Sequence, residues 1–338
     1  MKKIGGFFPL YTPQGICSQS VLSLWGVPEH PHRLFSNGRS ALHHLIRSLS
    51  PGSVWLPAYS CDSLAEGVIH SGAPLRFFPI VEDFSPDIAY LSAHVRAGDA
   101  VVAIDYFGRN PDAAFLAHVA SHPAIHWIED RSQAFLPAPA WWGDYVLYSP
   151  RKLLGVADGA LIVSRSKSLP SQPSVPLADP DATHPALLRA ADVFETHNAQ
   201  WHAANQTHEA SLIVDDFSIS RTSHHILAHT DVQPLLAKRR ANYAQLMAQL
   251  SSHAALPAQD MDFVPMGFPI RTAHRASLSR QLAECGIFAA HHWPHLPAPE
   301  AEFSEAHRLS QQLLTLPCDH RYGPDHMQHI IDTIGKAT

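Results

Sequence analysis

Charge of either sign is scarce in this chain. Asp, Glu, Lys and Arg make up 16% of its 338 residues, whereas globular proteins average about 25%. The formal net charge of −6 at neutral pH leaves no whole-chain basic surface of the kind that binds nucleic acid. With 46% hydrophobic residues, the chain must bury a large apolar area in its core or against another subunit.

Cysteine is also scarce, and long apolar runs are missing. The four cysteines, at positions 17, 61, 285 and 318, form no Cys-x-x-Cys pair and no disulfide framework, which is typical of a reducing, cytoplasmic setting. No apolar run reaches the length that a membrane-spanning helix needs. Pro9 and Pro13 interrupt the N-terminal apolar stretch too early for a signal peptide. We therefore expect a cytoplasmic protein without membrane or nucleic-acid partners.

Histidine, by contrast, is abundant, with 25 residues. Most are scattered singly or form doublets such as His43-His44. His225 and His229 could share one helical face, but no glutamate lies between them to complete a zinc-protease motif. We therefore predict no metal site.

Strand-like and helix-like patterns alternate from residue 37 to about residue 164. Short apolar runs predict strands at residues 53–56, 75–80, 100–105, 124–128, 144–148 and 159–164. Amphipathic stretches before or between them predict helices at residues 38–48, 62–70, 87–96 and 111–121. This alternation predicts an α/β fold with a mostly parallel sheet and helices on both faces. Ligands of such sheets bind outside the carboxyl ends of the strands.

The second half of the chain predicts a separate, smaller unit. Residues 165–185, rich in Ser, Pro and Asp, predict a surface excursion, and a helix is expected over residues 185–208. The smaller unit is predicted to contain helices at 232–250, 273–285, 302–313 and 324–334 and strands at 263–270, 287–293 and 314–316. We therefore divide the chain into a large domain, residues 1–230, and a small domain, residues 231–338.

A lysine and an acid follow two of the predicted strands. Lys152 lies on the loop after strand 144–148, and Asp130 follows strand 124–128. Pyridoxal phosphate needs such a pair, because a lysine holds its aldehyde as a Schiff base and an acid keeps the pyridine nitrogen protonated. Ser149, three residues before the lysine, is placed to donate a hydroxyl to the phosphate. The alternative interpretations are a solvated loop lysine and a strand-end acid that caps a turn.

A second phosphate contact is predicted where the first of these helices begins. Gly38, Arg39 and Ser40 follow Asn37 at this point. Backbone N–H groups and the helix dipole make such a helix N-terminus able to bind phosphate. The alternative is a plain Asn-Gly turn with a helix cap.

Several short motifs follow one another along the chain from about residue 35 to the C-terminus. They are Asn37-Gly38-Arg39-Ser40-Ala41-Leu42, Pro57-Ala58-Tyr59-Ser60-Cys61-Asp62, Asp105-Tyr106-Phe107-Gly108, Glu129-Asp130-Arg131-Ser132-Gln133, Lys152 with Asp158-Gly159, Arg239-Arg240-Ala241-Asn242-Tyr243, His292-Trp293 and Leu314-Thr315-Leu316-Pro317. In order and spacing this series resembles the DegT/StrS family of pyridoxal-phosphate sugar aminotransferases, which have the fold-type-I architecture.

The resemblance implies a homodimeric, pyridoxal-phosphate-dependent aminotransferase. It would transfer an amino group, from glutamate or another donor, to a nucleotide-linked ketosugar in polysaccharide or secondary-metabolite biosynthesis. Lys152 would hold the cofactor and then move the substrate proton as a general acid and base, and Gln133 would bond the cofactor's 3-hydroxyl. Tyr106, His292 and Trp293 could contact the substrate. For His292 and Trp293, a partly buried aromatic position at a subunit edge is the alternative.

Two departures from the family pattern concern the cofactor's lysine and ring. Only two residues separate Ser149 from Lys152, whereas the family usually has four. Cys61 falls where the family often has an aromatic residue that stacks on the ring, so Tyr59 or Tyr106 would supply that face.

A third departure concerns the cofactor phosphate. The family has an asparagine that reaches it from the partner subunit, and none is present near residues 219–221, where Ser220 or Arg221 could substitute. These departures leave a second hypothesis open, in which the chain is a non-catalytic relative that acts as a binding or scaffold subunit.

Overall fold

The computed structural model describes residues 3–139, 141–165, 167–256 and 263–337. Its strands are β1 (Ile4–Gly5), β2 (His32–Phe35), β3 (Val54–Pro57), β4 (Leu75–Phe78), β5 (Ala100–Ile104), β6 (His126–Asp130), β7 (Tyr145–Tyr148), β8 (Ala160–Ser164), β9 (Val175–Pro176), β10 (Phe217–Ser218), β11 (Phe268–Arg271), β12 (Ile287–Phe288) and β13 (Leu313–Leu316). Its α-helices are α1 (Val21–Leu24), α2 (Gly38–Leu49), α3 (Asp62–Ser71), α4 (Ile88–His94), α5 (Ala113–Ser121), α6 (Asp179–Ala191), α7 (Asn198–Ser211), α8 (Arg221–His229), α9 (Gln233–Leu250), α10 (Arg275–Glu284), α11 (Ser304–Gln312) and α12 (Pro324–Ala337).

A seven-stranded sheet forms the centre of the first half of the chain. Its strand order is β2-β8-β7-β6-β5-β3-β4. Six strands run in one direction, and β8 is antiparallel to both of its neighbours. β5 and β8 are buried at every position, as expected for strands covered on both faces. The prediction of an α/β fold with a mostly parallel sheet is confirmed.

Helices cover both faces of this sheet. Because side chains of a strand alternate between faces, Val102 of β5 packs with α2 and α3, whereas Val101 packs with α4 and α5. Three of these helices begin at capping residues. The side chains of Asn37, Asp87 and Asp112 each accept a hydrogen bond from a backbone N–H in the first turn. These capping residues are recognisable in the sequence, which is why the approximate starts of the three helices could be predicted.

The predicted single helix over residues 185–208 is wrong, because α6 and α7 replace it. Between them, the Asp192 carboxylate accepts hydrogen bonds from the backbone N–H groups of Thr196 and His197 at 2.9 and 3.0 Å. It also accepts one from the indole N–H of Trp201 at 3.0 Å. These side-chain bonds compete with helical ones, so the chain turns and α7 packs against α6.

The C-terminal unit has its own core between α9, α10 and α12. β11 and β13 pair in antiparallel fashion, and β12 pairs with β1. The predicted strand over 287–293 is shorter than expected and ends at Phe288, since β1 offers only two residues for pairing. The strand predicted from residue 263 begins at Phe268, because the backbone before it turns to bond Phe107. The boundary after residue 230 stays a prediction.

Within the described ranges, no helix is long and apolar enough to cross a membrane. The same residues contain no group of three or more His, Cys, Asp or Glu side chains that could hold a metal ion.

Candidate active site

Three strand ends meet at the carboxyl edge of the main sheet. β5, β6 and β7 are parallel neighbours, and their register pairs Ile104 with Asp130 and Asp130 with Leu147. The loops that follow these three strands therefore begin side by side. Ligands bind at this edge in folds of this kind.

Lys152 lies on a single 3-10 turn, Pro150–Lys152, directly after β7. Its side chain is exposed and forms no ion pair or hydrogen bond with any residue that the structure describes. Ser149 is 9% exposed, and its hydroxyl also has no hydrogen-bond partner in the described chain. An unpaired amine and a nearly buried, unpaired hydroxyl are therefore available to a ligand on this loop.

Asp130 ends β6 and is 3% exposed. Its Oδ1 accepts a hydrogen bond from the backbone N–H of Ser132 at 2.9 Å, which fixes the orientation of the carboxylate. Its Oδ2 has no partner among the described residues. This oxygen is not among the fully buried, unpaired side-chain atoms, so it is accessible and suited to accept a hydrogen bond from a ligand N–H.

A buried arginine, which the sequence analysis did not identify, joins two of these strand ends. Arg131 is 1% exposed, and its Nη1 donates to Asp105 Oδ2 at 2.6 Å and to Glu129 Oε1 at 3.2 Å. Its Nε donates to the Leu136 carbonyl at 2.9 Å. Burial raises the pKa of Asp105 well above its ordinary value, although the arginine opposes this shift. The sequence indicates the role of Arg131 only through its position directly after two acidic residues, Glu129 and Asp130.

Gln133 lies in the turn that follows Asp130 and is 2% exposed. Its Oε1 accepts a hydrogen bond from the backbone N–H of Phe107 at 2.8 Å. Its Nε2 group has no hydrogen-bond partner among the described residues. The contact predicted with a cofactor hydroxyl would therefore use Nε2 as the donor.

Aromatic side chains form a wall beside Asp130. The ring centroids of Tyr59 and Tyr106 are 5.7 Å apart, and that of Trp293 lies 5.4 Å from Tyr59. The Tyr106 hydroxyl donates to the Tyr59 carbonyl. Burial raises the pKa of Tyr106 well above its ordinary value, and nearby Tyr59, Asp130 and Cys61 raise it further. The buried Tyr59 hydroxyl itself has no partner.

His292 extends this wall towards Lys152. Its Nδ1 lies 2.8 Å from Thr315 Oγ1, and its ring centroid is 6.1 Å from that of Phe107. Removal from water lowers the pKa of His292, and the charge of Lys152 lowers it further. The imidazole is therefore neutral near the lysine. The three predicted substrate residues, Tyr106, His292 and Trp293, thus form one continuous group.

The first turn of α2 lies at the same edge of the sheet as the Lys152 loop. β2 and β7 flank β8, and the Gly159 N–H, just before β8, donates to the Ser36 carbonyl at 2.6 Å. Asn37 Oδ1 accepts a hydrogen bond from the Ser40 N–H at 2.9 Å. The N–H groups of Gly38 and Arg39 come before the first intrahelical donor, and such groups bind phosphate in other proteins.

The side chains of Arg39 and Ser40 are already bound to protein groups. The Arg39 guanidinium pairs with Glu66, with Nε 2.6 Å from Oε2, and its Nη2 donates to Ser63 Oγ at 2.8 Å. Ser40 is fully buried, and its Oγ accepts a hydrogen bond from the Asp215 N–H at 3.0 Å. A phosphate at this helix end would therefore contact backbone groups rather than these two side chains.

The two residues named as substitutes for the missing asparagine differ in availability. Ser220 is fully buried, and its backbone N–H and hydroxyl both donate to Asp158, at 2.7 and 2.6 Å. Arg221 begins α8 and is exposed. Of the two, Arg221 is free to reach a ligand or a partner subunit.

The residues at this edge fit pyridoxal phosphate. The unpaired amine of Lys152 and the unpaired Oδ2 of Asp130 lie on adjacent strand ends. The unpaired hydroxyls of Ser149 and Tyr59 add polar contacts, and the first turn of α2 offers backbone donors to the phosphate. Cys61, half-buried before α3, adds no aromatic face, which leaves stacking to the tyrosines.

Comparisons with known proteins find similar solved structures but no matching family model or curated sequence. Spr1654 from Streptococcus pneumoniae, solved in forms with PLP and with PMP, is 15% identical with a TM-score of 0.69, covering 99% of this chain and 97% of its own in the apo form. DesV from S. venezuelae, solved with a ketimine intermediate, is 20% identical with a TM-score of 0.65, covering 90% and 84%.

A third similar structure is a DegT DnrJ EryC1 StrS aminotransferase from Brucella abortus, 16% identical with a TM-score of 0.65, covering 94% of this chain and 89% of that one. This chain has the fold-type-I aminotransferase fold. The prediction of that fold from the motifs is confirmed. The match over nearly the whole chain includes both the main sheet and the C-terminal unit.

Proposed function

We propose that this protein is a pyridoxal-phosphate-dependent aminotransferase of the DegT/StrS type. The observation that supports this most strongly is the pair formed by Lys152 and Asp130. The lysine has no protein partner, and the buried acid keeps one oxygen unpaired. Asp130 ends β6 and Lys152 lies on the turn after the adjacent strand β7, in a fold shared with solved aminotransferases. A lysine that merely faces solvent would not require an unpaired acid on the neighbouring strand.

Lys152 would hold the cofactor and move the substrate proton. Pyridoxal phosphate, when bound, supplies an electron sink for the substrate carbon. The Lys152 amine would serve as the base that removes the proton from that carbon and as the acid that returns it. Asp130 would accept the ring N–H of the bound cofactor through Oδ2, while Ser132 holds Oδ1 in place.

The aromatic wall would shield one side of the bound cofactor from water and orient its ring. Tyr59 and Tyr106 are both almost fully buried. They would supply the face that stacks on the cofactor ring, in place of the aromatic residue that the family often has at the position of Cys61. The Tyr106 hydroxyl is protonated at neutral pH, as any phenol of ordinary pKa is, and donates to the Tyr59 carbonyl. Trp293 and His292, which belong to the C-terminal unit, extend this wall.

The proposed amino acceptor is a nucleotide-linked ketosugar, and glutamate is the proposed donor. Aminotransferases for small keto acids need an arginine free to bind the substrate carboxylate through two hydrogen bonds. Four arginines of the C-terminal unit have protein partners: Arg271 with Glu82, Arg275 with the Ser310 carbonyl, Arg308 with Glu305 and Arg321 with Asp319. A fifth, Arg280, is exposed on α10 and has no partner among the described residues, and the Nε of Arg271 is buried without a hydrogen-bond partner. Neutral imidazole, indole and phenol groups at the site suit sugar hydroxyls and rings instead.

We propose a homodimer as the working unit. Large apolar side chains are exposed on α6, on the turn after it and on the segment after α7. They are Leu187, Val193, Phe194 and Ile213. Contiguous exposed apolar side chains mark interaction surfaces, and Val193 and Phe194 are neighbours in the chain that are 73% and 87% exposed. Light scattering at micromolar concentration should give the mass of a dimer, and a monomer alone would count against this part of the proposal.

A half-reaction tests the proposed function. The purified protein is loaded with pyridoxal phosphate, and its absorbance is followed while glutamate is added. We expect a yellow protein whose spectrum changes with the donor and returns when a nucleotide ketosugar is added. Lys152→Ala should bind the cofactor without the spectral cycle. A return with pyruvate or oxaloacetate, and none with any nucleotide ketosugar tested, would contradict the acceptor. A colourless parent protein would contradict the enzyme class.

A further inference from the structure

An acidic segment crosses the helix end at which the cofactor phosphate is proposed to bind. Residues 212–217, named the strap here, lie between α7 and α8. The Leu212 carbonyl accepts a hydrogen bond from Arg39 Nη1 at 3.2 Å, and the Ile213 carbonyl accepts one from Asn37 Nδ2 at 3.1 Å. The strap is therefore fixed on the first turn of α2 through its backbone.

Asp215 adds a side-chain anchor to these backbone contacts. Its Oδ1 accepts a hydrogen bond from Ser36 Oγ at 2.6 Å, and its Oδ2 accepts one from Asn37 Nδ2 at 3.3 Å. Its backbone N–H donates to Ser40 Oγ at 3.0 Å. Oδ1 also accepts a hydrogen bond from the Phe217 backbone N–H at 3.0 Å. The carboxylate is thus held beside the N-cap of α2, near the positive end of the helix dipole, which is a favourable position for an anion.

The chain just before the strap is bound to the Lys152 loop. Glu209, in the last turn of α7, forms an ion pair with Arg151. Residues 209–215 therefore extend from the lysine loop to the first turn of α2. These two segments contain the proposed phosphate donors, the nearly buried Ser149 hydroxyl and the Gly38 N–H, and the Ser149 hydroxyl has no partner in the described chain.

We propose that Asp215 opposes binding of the cofactor phosphate and weakens the affinity of this protein for pyridoxal phosphate. The inference rests on the proposed function, since it requires the phosphate at the N-terminus of α2. A phosphate carries about two negative charges at neutral pH, and like charges in contact at a binding site repel each other strongly. A phosphate at the Gly38 N–H would therefore be repelled by the Asp215 carboxylate that Ser36 and Asn37 hold beside this helix end.

The test compares two ligands and two variants. Asp215→Asn removes the charge but keeps an oxygen that can accept the Ser36 hydrogen bond. We expect it to bind pyridoxal phosphate at least about tenfold more tightly than the parent protein, and to bind pyridoxal, which has no phosphate, equally well. Asp216→Asn is the matched control, because it removes the same charge one residue away. Its side chain is 94% exposed and pairs with His44, so its affinity for pyridoxal phosphate should not change.

Each other outcome would overturn the inference. Unchanged affinity of Asp215→Asn for pyridoxal phosphate would mean that the carboxylate does not compete with the phosphate. Equal tightening in Asp216→Asn, or equal tightening for pyridoxal, would indicate a general charge effect. Thermal unfolding of each variant shows that the proteins compared are folded. If neither the parent nor Asp215→Asn binds pyridoxal phosphate at all, the proposed function fails together with the inference.

Discussion

Replacing Asp130 with asparagine tests the proposed electron-sink role with almost no change of shape. The side chain is 3% exposed, and Oδ1 accepts the Ser132 N–H at 2.9 Å. The amide oxygen of asparagine can accept the same bond, so the turn after β6 and the free energy of unfolding should change little. The variant loses the negative charge that would pair with the protonated ring nitrogen.

The expected loss of kcat can be estimated from comparable contacts in other enzymes. Removing one preorganised electrostatic contact to a transition state lowers kcat by about 10²–10³-fold, or about 2.7–4 kcal/mol. We expect at least that loss, because Asp130 Oδ2 has no second role among the described residues. The assay is a single-turnover reaction of the loaded protein with glutamate, followed by absorbance.

A matched control separates this effect from a general effect of amide substitution. Asp112→Asn makes the same chemical change at the cap of α5, where asparagine caps a helix as well as aspartate does. Its turnover should equal that of the parent protein. An Asp130→Asn protein that is folded and reacts at the parent rate would refute the role given to this acid.

Two further predictions concern stability. Arg131→Met leaves the buried carboxyl groups of Asp105 and Glu129 without their cation, and should lower the free energy of unfolding in urea by about 3–5 kcal/mol; a stability equal to the parent's would contradict the network. His320 is 8% exposed, and burial lowers its pKa to about 3 from an ordinary value of 6.5. Because the pKa of His320 is lower in the folded protein than in the unfolded chain, the contribution of this residue to the free energy of unfolding is fully present above pH 6.5. That contribution is lost as the pH falls from 6.5 towards 3, by about 1.4 kcal/mol per pH unit. His320→Gln should show a shallower loss of unfolding free energy than the parent between about pH 6.5 and pH 5, and identical slopes would contradict this.

The main sheet could be predicted because its signals are local. Strands such as β5 and β8 are buried at every position and form short apolar runs, and the caps at Asp87 and Asp112 mark where α4 and α5 begin. Lys152 and Asp130 could be identified as site residues because they lie at or shortly after the ends of strands that were recognisable in this way. Their positions on neighbouring strand ends follow from the topology.

The remaining features depend on contacts between residues distant in sequence. Arg131 binds Asp105, 26 residues earlier, and nothing local to either residue indicates that contact. Asp215 reaches Ser36 across 179 residues, so the strap over α2 could not be foreseen from the Asn-Gly turn. The length of the strand predicted over residues 287–293 was overestimated, because its pairing partner is the two-residue strand β1 at the other end of the chain.

Locating the cofactor's attachment point tests the central claim most directly. The protein is incubated with pyridoxal phosphate, reduced with borohydride, digested and mapped by mass spectrometry. The free, exposed amine of Lys152 after β7 predicts that the pyridoxyl label is on Lys152 and is absent from that peptide in Lys152→Ala. A label on a different lysine, or a parent protein that takes up no label, would contradict the account.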